Sequence, residues 1–396
     1  MTAPTPGVIL ALAPNPWEGP WMNRQQLLSR LGVGRTILYS TGVPQRGRRK
    51  GPAGGVGGRV VRADHVYLDA PPSWLLRPNR PAVAGELVDA IAARRLRRLA
   101  RELGTGPVLT YVFHPKFWPL ARRIGGDRLV FHAYDLYHLQ GKQTHTYDRE
   151  EQALARAADL VIGSSTPIAE YLRTISGRHV ETLDNAADYA AFSAPPLSWA
   201  EGPPDVAALP RPRVGYTGAL NRKVDFELLA DLSARRPDVQ FVLIGQMGRL
   251  DAVGESAAAS LRQRTNVHWL GFKSPAALPG YMGAMDANLM CYRASGEAWT
   301  AGIYPLKLHE YLAVGRPVIS TDLPTVRPFA DVIRIATSPD DWASALNEAL
   351  RDGGTGTPEA RRARARDNSW DARAAQLGAW IDDVMGRRTE TSSSAR

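Results

Sequence analysis

The sequence predicts an α/β protein built from two consecutive halves, each with a parallel sheet. Apolar, strand-like runs alternate with amphipathic helical stretches along most of the 396 residues, as they do in parallel sheets covered by helices on both faces. A proline-rich segment, 195–212, interrupts the alternation near the middle, and the alternation then starts again. A chain of this length is large enough for two domains of ordinary size. We therefore expect two domains joined by a linker at residues 201–212.

The first half, residues 1–200, alternates short apolar runs with amphipathic segments. The predicted strands are 8–13, 36–40, 108–113, 129–133, 160–164 and 179–183. The predicted helices are 24–31, 83–103, 148–158 and 166–176. The last of these has Thr166 in the N-cap position and Pro167 as the first helical residue, where both residue types are favoured. The glycine-rich, basic stretch 47–58 predicts a loop.

The second half, residues 213–369, repeats the pattern. The predicted strands are 213–216, 240–244, 266–270, 287–292, 317–321 and 332–336. The predicted helices are 225–234, 275–284, 305–314 and 339–350. A last amphipathic segment, 370–385, has Trp370, Leu377, Trp380 and Ile381 as candidate buried positions. It predicts a terminal helix that needs a surface on which to pack.

The composition is that of a globular protein with a basic surface. The net charge is +10, and arginines cluster at 46–50, 94–101 and 361–366. Such clusters attract anionic lipid headgroups or nucleic acid, or they are simply solvated surface. Because no zinc-finger, RNP or helix-turn-helix pattern accompanies the charge, we expect no nucleic-acid binding and keep an anionic membrane surface as a candidate partner.

The compartment follows from the cysteine count and from the first apolar run. The chain has one cysteine, Cys291, so an intrachain disulfide is excluded and a reducing, cytoplasmic location is expected. Cys291 itself lies in an apolar run and is expected in the core. The run 8–13 ends like a signal-peptidase site, but no basic residue precedes it, so it predicts a buried strand. No run approaches the roughly 20 apolar residues that span a bilayer.

The most informative segment is 302–321, which predicts a loop, a helix that starts at Pro305, a turn at Gly315 and a strand. Lys307 and Glu310 are three residues apart and project together near the helix start. A helix N-terminus attracts phosphate, a lysine adds charge, and a carboxylate accepts hydrogen bonds from vicinal sugar hydroxyls. This layout favours a nucleoside diphosphate. The alternative is a surface Lys–Glu pair on an amphipathic helix.

Glycines follow several predicted strands of the second half. Gly215-Tyr216-Thr217-Gly218 ends the first strand, and Arg222 and Lys223 follow it. Gly245 follows the next strand, and Gly271 a third. Ligands of open α/β sheets bind beyond the carboxyl ends of the strands, where glycine permits close backbone approach. Together with the Pro305 helix, these elements predict one nucleotide site, although each turn alone also fits an ordinary β–α connection.

Two polar residues follow strands of the first half. His114 follows 108–113, and Asp135 follows 129–133, so both are expected at one edge of the sheet. Either is a candidate base or a stabiliser of positive charge on a sugar, and either also fits a structural polar residue. His132, Asp135, His138 and His145 do not match a known metal-site spacing, so no metal site is expected.

With these residues in view, the chain resembles the GT-B glycosyltransferases, specifically the retaining family 4 and its bacterial exopolysaccharide and cell-wall members. The resemblance lies in the ordered segments 150–165, 183–188 with Phe192, 214–220, 241–245, 266–271 and 305–321. It implies two Rossmann-like domains that face each other across a cleft, with the segment 370–385 crossing back onto the first domain.

The resemblance also implies roles for single residues. Glu310 matches the glutamate that binds the ribose hydroxyls, and Lys307 with Arg222 or Lys223 matches the diphosphate positions. Gly218, Gly245 and Leu308 complete the expected donor site. His114 or Asp135 matches catalytic positions near the sugar. No metal or other cofactor is implied: the donor is a nucleoside-diphosphate sugar, and the acceptor is a glycan, a lipid-linked sugar or a small molecule.

The sequence departs from the family pattern at two places. Gly302 stands eight positions before Glu310, where the family has an acidic residue, and Asn185-Ala186 replaces Asn-Gly. Two alternatives therefore stay open. One is a nucleotide-sugar epimerase on the same architecture, and the other is a non-catalytic binding protein derived from it.

Overall fold

The computed structural model describes residues 7–18, 21–43, 61–63, 65–72, 74–76, 82–139, 147–193, 202–293 and 303–386. The chain forms two compact units. Unit 1 comprises Met1–Asp184 and Asp371–Arg396, and unit 2 comprises Asn185–Trp370. The sequence analysis places the end of the first domain at residue 200 and a linker at 201–212. In the structure, part of that linker forms a short helix whose Val206 is fully buried in unit 2.

Unit 1 contains a sheet of eight described strands in the order β3-β4-β2-β1-β5-β6-β7-β8. The strands are β1 Val8–Leu12, β2 Thr36–Ser40, β3 Val61–Ala63, β4 Val66–Leu68, β5 Val108–Val112, β6 Arg128–Ala133, β7 Leu160–Gly163 and β8 Glu181–Thr182. All neighbours are parallel except β3 and β4. The central strands β1 and β5 are buried along their whole length, as the continuous apolar runs predict.

The helices of unit 1 are α1 Asn23–Gly32, α2 Ala82–Leu103, α3 Trp118–Ile124, α4 Asp148–Ala157 and α5 Thr166–Ser176. In α5 the N-cap is Ser165, one residue before the predicted Thr166, because Ser165 has the extended backbone of a cap and Thr166 is already helical. Gly177 ends α5 in the left-handed conformation that glycine adopts without strain.

Unit 2 contains a sheet of six described, all-parallel strands in the order β11-β10-β9-β12-β13-β14. The strands are β9 Arg213–Thr217, β10 Gln240–Ile244, β11 Val267–Gly271, β12 Ala287–Met290, β13 Val318–Thr321 and β14 Arg334–Ala336. The order reverses between β9 and β12, which makes this the topological switch point where open α/β sheets bind ligands.

The helices of unit 2 are α6 Tyr189–Ser193, α7 Pro204–Ala207, α8 Phe226–Arg235, α9 Ala252–Arg262, α10 Leu278–Gly283, α11 Lys307–Val314, α12 Pro339–Asp352 and α13 Pro358–Asp367. Neither α9 nor α13 is predicted by the sequence analysis, and neither are β3, β4 and α3. The segment of α9 is rich in alanine and that of α13 in arginine, so the apolar periodicity that reveals a helix is weak in both.

The last helix, α14 Trp370–Gly386, belongs to unit 1 from Asp371 onward, as the resemblance implies. Leu377 and Ile381 are buried as predicted, whereas Trp380 is half-buried. Arg35 donates to Asp382 at 2.7 Å, and Arg128 Nε donates to the Val384 carbonyl at 2.8 Å. The helix therefore completes the fold of unit 1.

Two arginines of the predicted basic surfaces are not solvated. Arg361 is only 1% exposed and donates to the carbonyls of Gly315, Gly353, Thr355 and Gly356. Arg95 pairs with the buried Asp69 at 2.6 Å. Both side chains stabilise the fold, and the cluster at 46–50 lies outside the described residues. Across the described ranges, no helix has the length and apolarity that crossing a membrane requires.

Candidate functional site

The loops after β9 and β10 are joined to each other at the carboxyl edge of the unit 2 sheet. Gly218 N–H donates to the Ile244 carbonyl at 2.8 Å, and Leu220 N–H donates to the Gln246 carbonyl at 3.0 Å. Gly245 N–H donates in turn to the Gly271 carbonyl at 2.8 Å. The three strand ends that the sequence analysis singles out thus form one continuous layer of backbone.

The glycines of this layer are required by contacts between the loops. Gly245 has a φ of +148°, and a Cβ there would lie 1.8 Å from the Gly218 carbonyl oxygen. Gly218 has a φ of +140°, and a Cβ there would lie 2.8 Å from Lys307 Nζ. The sequence analysis expects these glycines to admit a ligand. The structure shows that they admit a neighbouring loop and the Lys307 ammonium.

Lys307 is the first residue of α11 and is 8% exposed, so it is not the surface lysine of the alternative interpretation. Its Nζ lies 3.5 Å from the ring centre of Tyr216 and 5.2 Å from that of Tyr292. Burial lowers the pKa of Lys307 to about 7, against the opposing effect of Glu310. The aromatic faces partly compensate the desolvated cation. A diphosphate beside Nζ would restore full protonation.

Glu310 lies one turn along α11 and is half-buried. Burial raises the pKa of Glu310 to about 7; Lys307 opposes this change and Asp188 adds to it. Asn185, from the same motif as Asp188, donates to the Tyr304 carbonyl at 2.8 Å and so fixes the chain just before α11. Asn185 and Asp188 therefore lie at the start of α11 in unit 2, and the carboxylate of Asp188 acts on that of Glu310.

The start of α11 differs from the prediction. The helix begins at Lys307, and the Pro305 carbonyl accepts from the Leu308 N–H at 3.1 Å. Leu308 is fully buried in the apolar core of unit 2. The role of Leu308 in binding the donor stays a prediction, and in the structure its side chain packs in the core and its N–H donates to the Pro305 carbonyl. These contacts hold α11 in place.

The other predicted donor-site residues have different exposures. Arg222 is exposed, and Lys223 is half-buried. The Arg222 N–H donates to the Arg249 carbonyl at 3.2 Å, and the Lys223 N–H donates to Asn221 Oδ1 at 3.0 Å. The backbone that carries both cations is therefore fixed. Gly302 lies outside the described residues.

In unit 1, His114 follows β5 as predicted and caps the short 3-10 helix Pro115–Phe117. The Lys116 N–H donates to His114 Nδ1 at 3.0 Å. Burial, followed by the charges of Lys116 and Arg24, lowers the pKa of His114 to about 3. The imidazole is therefore neutral, with Nδ1 as an acceptor and the proton on Nε2. Because Nδ1 already accepts a hydrogen bond, His114 can act as a hydrogen-bond donor through Nε2 more readily than as a general base through Nδ1.

Asp135 follows β6 with an exposed side chain. The nearby His132 is fully buried in β6, where its Nδ1 lies 2.7 Å from the Tyr111 hydroxyl, and burial lowers the pKa of His132 to about 3. Asp135 and His132 are thus in different environments. Within the described ranges, no group of three His, Cys, Asp or Glu side chains is placed to hold a metal ion. His145 lies outside those ranges.

The sequence analysis does not identify Tyr216, Tyr292 and Tyr311 as site residues. Tyr216 and Tyr292 are the rings against Lys307, and the Tyr311 hydroxyl accepts from the Thr217 N–H at 2.7 Å. Tyrosines near strand ends, together with a lysine in an apolar helix, are the signal that indicates a buried cation. Cys291 is fully buried, and burial raises the pKa of its thiol to about 12, so the predicted core position is confirmed.

Comparison with known families and proteins finds similarity to glycosyltransferases. Residues 211–352 match the family of glycosyl transferases group 1. The chain is 27% identical over 321 residues to TuaH of Bacillus subtilis (strain 168), a glycosyltransferase assigned to teichuronic acid biosynthesis. The match covers 74% of this chain and 78% of that protein.

The chain is also similar to solved structures over nearly its whole length, at low identity. Sucrose-phosphate synthase from Thermosynechococcus elongatus has a TM-score of 0.71 at 16% identity and covers 96% of this chain and 100% of that one. HepE from Anabaena, in complex with UDP and glucose, has a TM-score of 0.64 at 17% identity, with 96% and 99% covered. An α,α-trehalose-phosphate synthase (UDP-forming) from Burkholderia vietnamiensis has a TM-score of 0.68 at 13% identity, with 98% of each chain covered.

Proposed function

We propose that this protein, a glycosyltransferase with the GT-B fold and a group 1 glycosyl transferase domain, transfers a sugar from a nucleoside-diphosphate sugar. The proposed acceptor is a glycan, a lipid-linked sugar or a small molecule, and the proposed process is polysaccharide biosynthesis. The buried Lys307 at the start of α11, beside Gly218 and one turn from Glu310, carries the proposal. The group 1 match over residues 211–352 includes all three of these residues.

In the proposed donor site, cationic groups bind the diphosphate and a carboxylate binds the ribose. Lys307 and the first turn of α11 neutralise the diphosphate that leaves, with Arg222 or Lys223 as a second cation. Glu310 accepts hydrogen bonds from the ribose hydroxyls. UDP is the first nucleotide to test, because structures similar to this chain contain or form UDP.

The proposed reaction retains the anomeric configuration and needs no metal ion. Charge neutralisation by Lys307 and the helix start supports metal independence, and unchanged turnover in EDTA is the expected result. The Nε2–H group of His114 donates a hydrogen bond to a sugar hydroxyl, and Asp135 stabilises positive charge that develops on the sugar. Proton NMR of the first product formed reads the anomer directly, and an inverted anomer contradicts the proposal.

The test is the thermal stability of the wild type and of Glu310→Ala with UDP, GDP, ADP and dTDP. A nucleotide at about 100 times its dissociation constant stabilises by about 2.7 kcal/mol. We expect one nucleotide to raise the melting temperature of the wild type and to lose most of that effect with Glu310→Ala. Glu227→Ala removes the same charge from an exposed position of unit 2 and should leave the shift intact.

The outcomes separate the alternatives. No shift with any nucleotide would favour the non-catalytic binding protein. A shift followed by conversion of the donor sugar without an acceptor would favour the epimerase.

We also propose that the enzyme is cytoplasmic and that α2 contacts an anionic membrane surface. Leu87 and Ile91 are 64% and 37% exposed, and Arg94, Arg98 and Arg101 follow at helical spacing on the same exposed stripe. Glu102 also lies on this face and pairs with Arg98 at 3.4 Å. Exposed apolar residues beside arginines are typical of helices that lie in the membrane interface.

Sedimentation with vesicles containing phosphatidylglycerol tests the membrane contact. Each arginine near an anionic surface contributes about 1 kcal/mol, so replacing Arg94, Arg98 and Arg101 with Gln should lower binding by roughly 100-fold. A control triple variant at the exposed Arg351 and Arg366 and at Arg222 removes the same charge from unit 2. Equal losses in both triple variants would show non-specific attraction and contradict the proposal.

A further inference from the structure

Arg24 is a buried cation that forms no ion pair with any residue the structure describes. It is the second residue of α1 and is 6% exposed, and its Nε has no hydrogen-bond partner among the described residues. No carboxylate in the described part of the chain forms an ion pair with it.

The side chains that contact Arg24 are neutral, and the exposed carboxylate of Glu18 also acts on Tyr39. Its guanidinium lies beside the Tyr39 hydroxyl, and its Nη2 donates to the amide oxygen of Asn15 at 2.8 Å in the amide orientation that satisfies both Asn15 atoms. The charge of Arg24 also reaches His114, whose pKa it helps to lower. Tyr39 lies near the end of β2, while Asn15 and His114 follow β1 and β5. The cation therefore lies at the carboxyl edge of the unit 1 sheet, where α/β sheets bind ligands.

A buried guanidinium without an anion is costly for the folded protein. Desolvation of an ion costs several kcal/mol, and a paired carboxylate or a full set of hydrogen bonds normally offsets that cost. Here the neighbours supply one amide oxygen and one hydroxyl. A guanidinium presents its N–H groups as a planar fork that matches the two oxygens of a carboxylate or a phosphate. An anionic ligand is the group that this site lacks.

We propose that the acceptor is an acidic sugar or a sugar phosphate whose carboxylate or phosphate binds Arg24. The inference rests on the proposed function and names the chemical class of its acceptor. Under this proposal, each anionic substrate binds to a different unit. The donor diphosphate binds Lys307 in unit 2, and the acceptor anion binds Arg24 in unit 1.

The test is calorimetric titration of the full chain saturated with UDP, using glucuronate, glucose 6-phosphate and glucose as probes. Saturation with UDP keeps the probes from the diphosphate site. A charge-assisted hydrogen bond to a buried group corresponds to a preference of about 10- to 100-fold for at least one anionic sugar over glucose. Arg24→Gln should abolish the preference and leave UDP affinity unchanged, and Arg24→Lys should keep part of it.

The matched control is Arg98→Gln, which removes an exposed arginine from α2 of the same unit and should keep the full preference. A wild type without any preference for the anionic sugars, or a preference that survives in Arg24→Gln, overturns the proposal. Equal loss of UDP affinity in Arg24→Gln also overturns it, because Arg24 would then serve the donor diphosphate. Failure of the wild type to bind UDP would instead count against the proposed function.

The melting temperature without ligand shows whether replacing Arg24 harms the fold. Because Arg24 is desolvated and unpaired, Arg24→Met should leave the melting temperature of the free protein unchanged or raise it. A marked fall would show that Arg24 stabilises the fold and would overturn the proposal.

Discussion

At the scale of single residues, the candidate site consists of charges that the fold removes from water. Lys307, Glu310 and Arg24 are all buried or half-buried, and each lies at the carboxyl edge of a sheet. For Lys307 and Glu310, burial moves the pKa of each group toward 7. Such groups respond strongly to a charged ligand, because the ligand replaces the interactions that water would provide.

Gly245→Ala should destabilise the protein by about 3 to 5 kcal/mol, because the new Cβ would overlap the Gly218 carbonyl at a backbone angle that only glycine adopts easily. Gly271→Ala is the matched control. Gly271 follows the neighbouring strand with a φ of +66° and has no atom within 4 Å of its Cβ position, so it should cost about 1 kcal/mol. Urea denaturation measures both, and similar losses would contradict the loop contact.

Glu151→Gln should become more stable than the wild type as the pH rises. Burial raises the pKa of Glu151 from 4.5 to about 8, with Tyr171 opposing the change and Asp148 adding to it. Between these pH values the folded chain keeps a proton that the unfolded chain loses, so raising the pH lowers the free energy of unfolding of the wild type. Glutamine mimics the protonated form and does not titrate.

We expect the stability difference between Glu151→Gln and the wild type to grow by about 3 kcal/mol from pH 5 to pH 8 in urea denaturation. Glu170→Gln makes the same charge change at an exposed position of unit 1. A constant difference across this range would show that Glu151 is ionised in the folded protein.

At the scale of elements, the strand ends and two helices position the chemistry. Helix α11 brings Lys307 to the β9 and β10 loops through Leu308 in the core and Tyr311 at the end of β9. Helix α14 closes unit 1 through Leu377 and through backbone contacts with the first half of the chain.

Leu377→Ala should destabilise unit 1 by about 3 kcal/mol, because a fully buried leucine leaves a cavity when it is truncated. Gln376→Ala, at the exposed neighbouring position of α14, should change stability by less than about 0.5 kcal/mol. Denaturation followed by tryptophan fluorescence distinguishes them. A small effect of Leu377→Ala would mean that α14 is loosely attached.

At the scale of the whole molecule, the two units differ in how the chain builds them. Unit 2 is one continuous segment, Asn185–Trp370, whereas unit 1 combines the two ends of the chain. We expect a fragment of residues 185–370 to fold alone and to bind the same nucleotide as the full chain, because the donor-site residues and the core that supports them lie within it. Circular dichroism and nucleotide titration measure this, and an unfolded fragment would contradict it.

The sequence predicts the architecture well, because continuous apolar strands and amphipathic helices leave a strong periodic signal. It does not predict α9 and α13, where that signal is weak. For the candidate site, the sequence predicts Gly218, Gly245, Lys307 and Glu310 from their places at strand ends and at a helix start, and the structure brings Gly218, Gly245 and Lys307 together. It misses the burial of Lys307, because the rings of Tyr216 and Tyr292 approach only in the folded chain.

The place of α14 has a consequence for synthesis of the protein on the ribosome. Residues 1–184 emerge first, but the helix that covers their apolar surface follows only after the whole of unit 2. At about 5–20 residues per second, that delay lasts about 10–40 s. During this time the nascent chain exposes the surface that receives Leu377, and a chain that stops early never covers it. Chaperone binding to nascent or truncated chains should therefore concentrate on the N-terminal half.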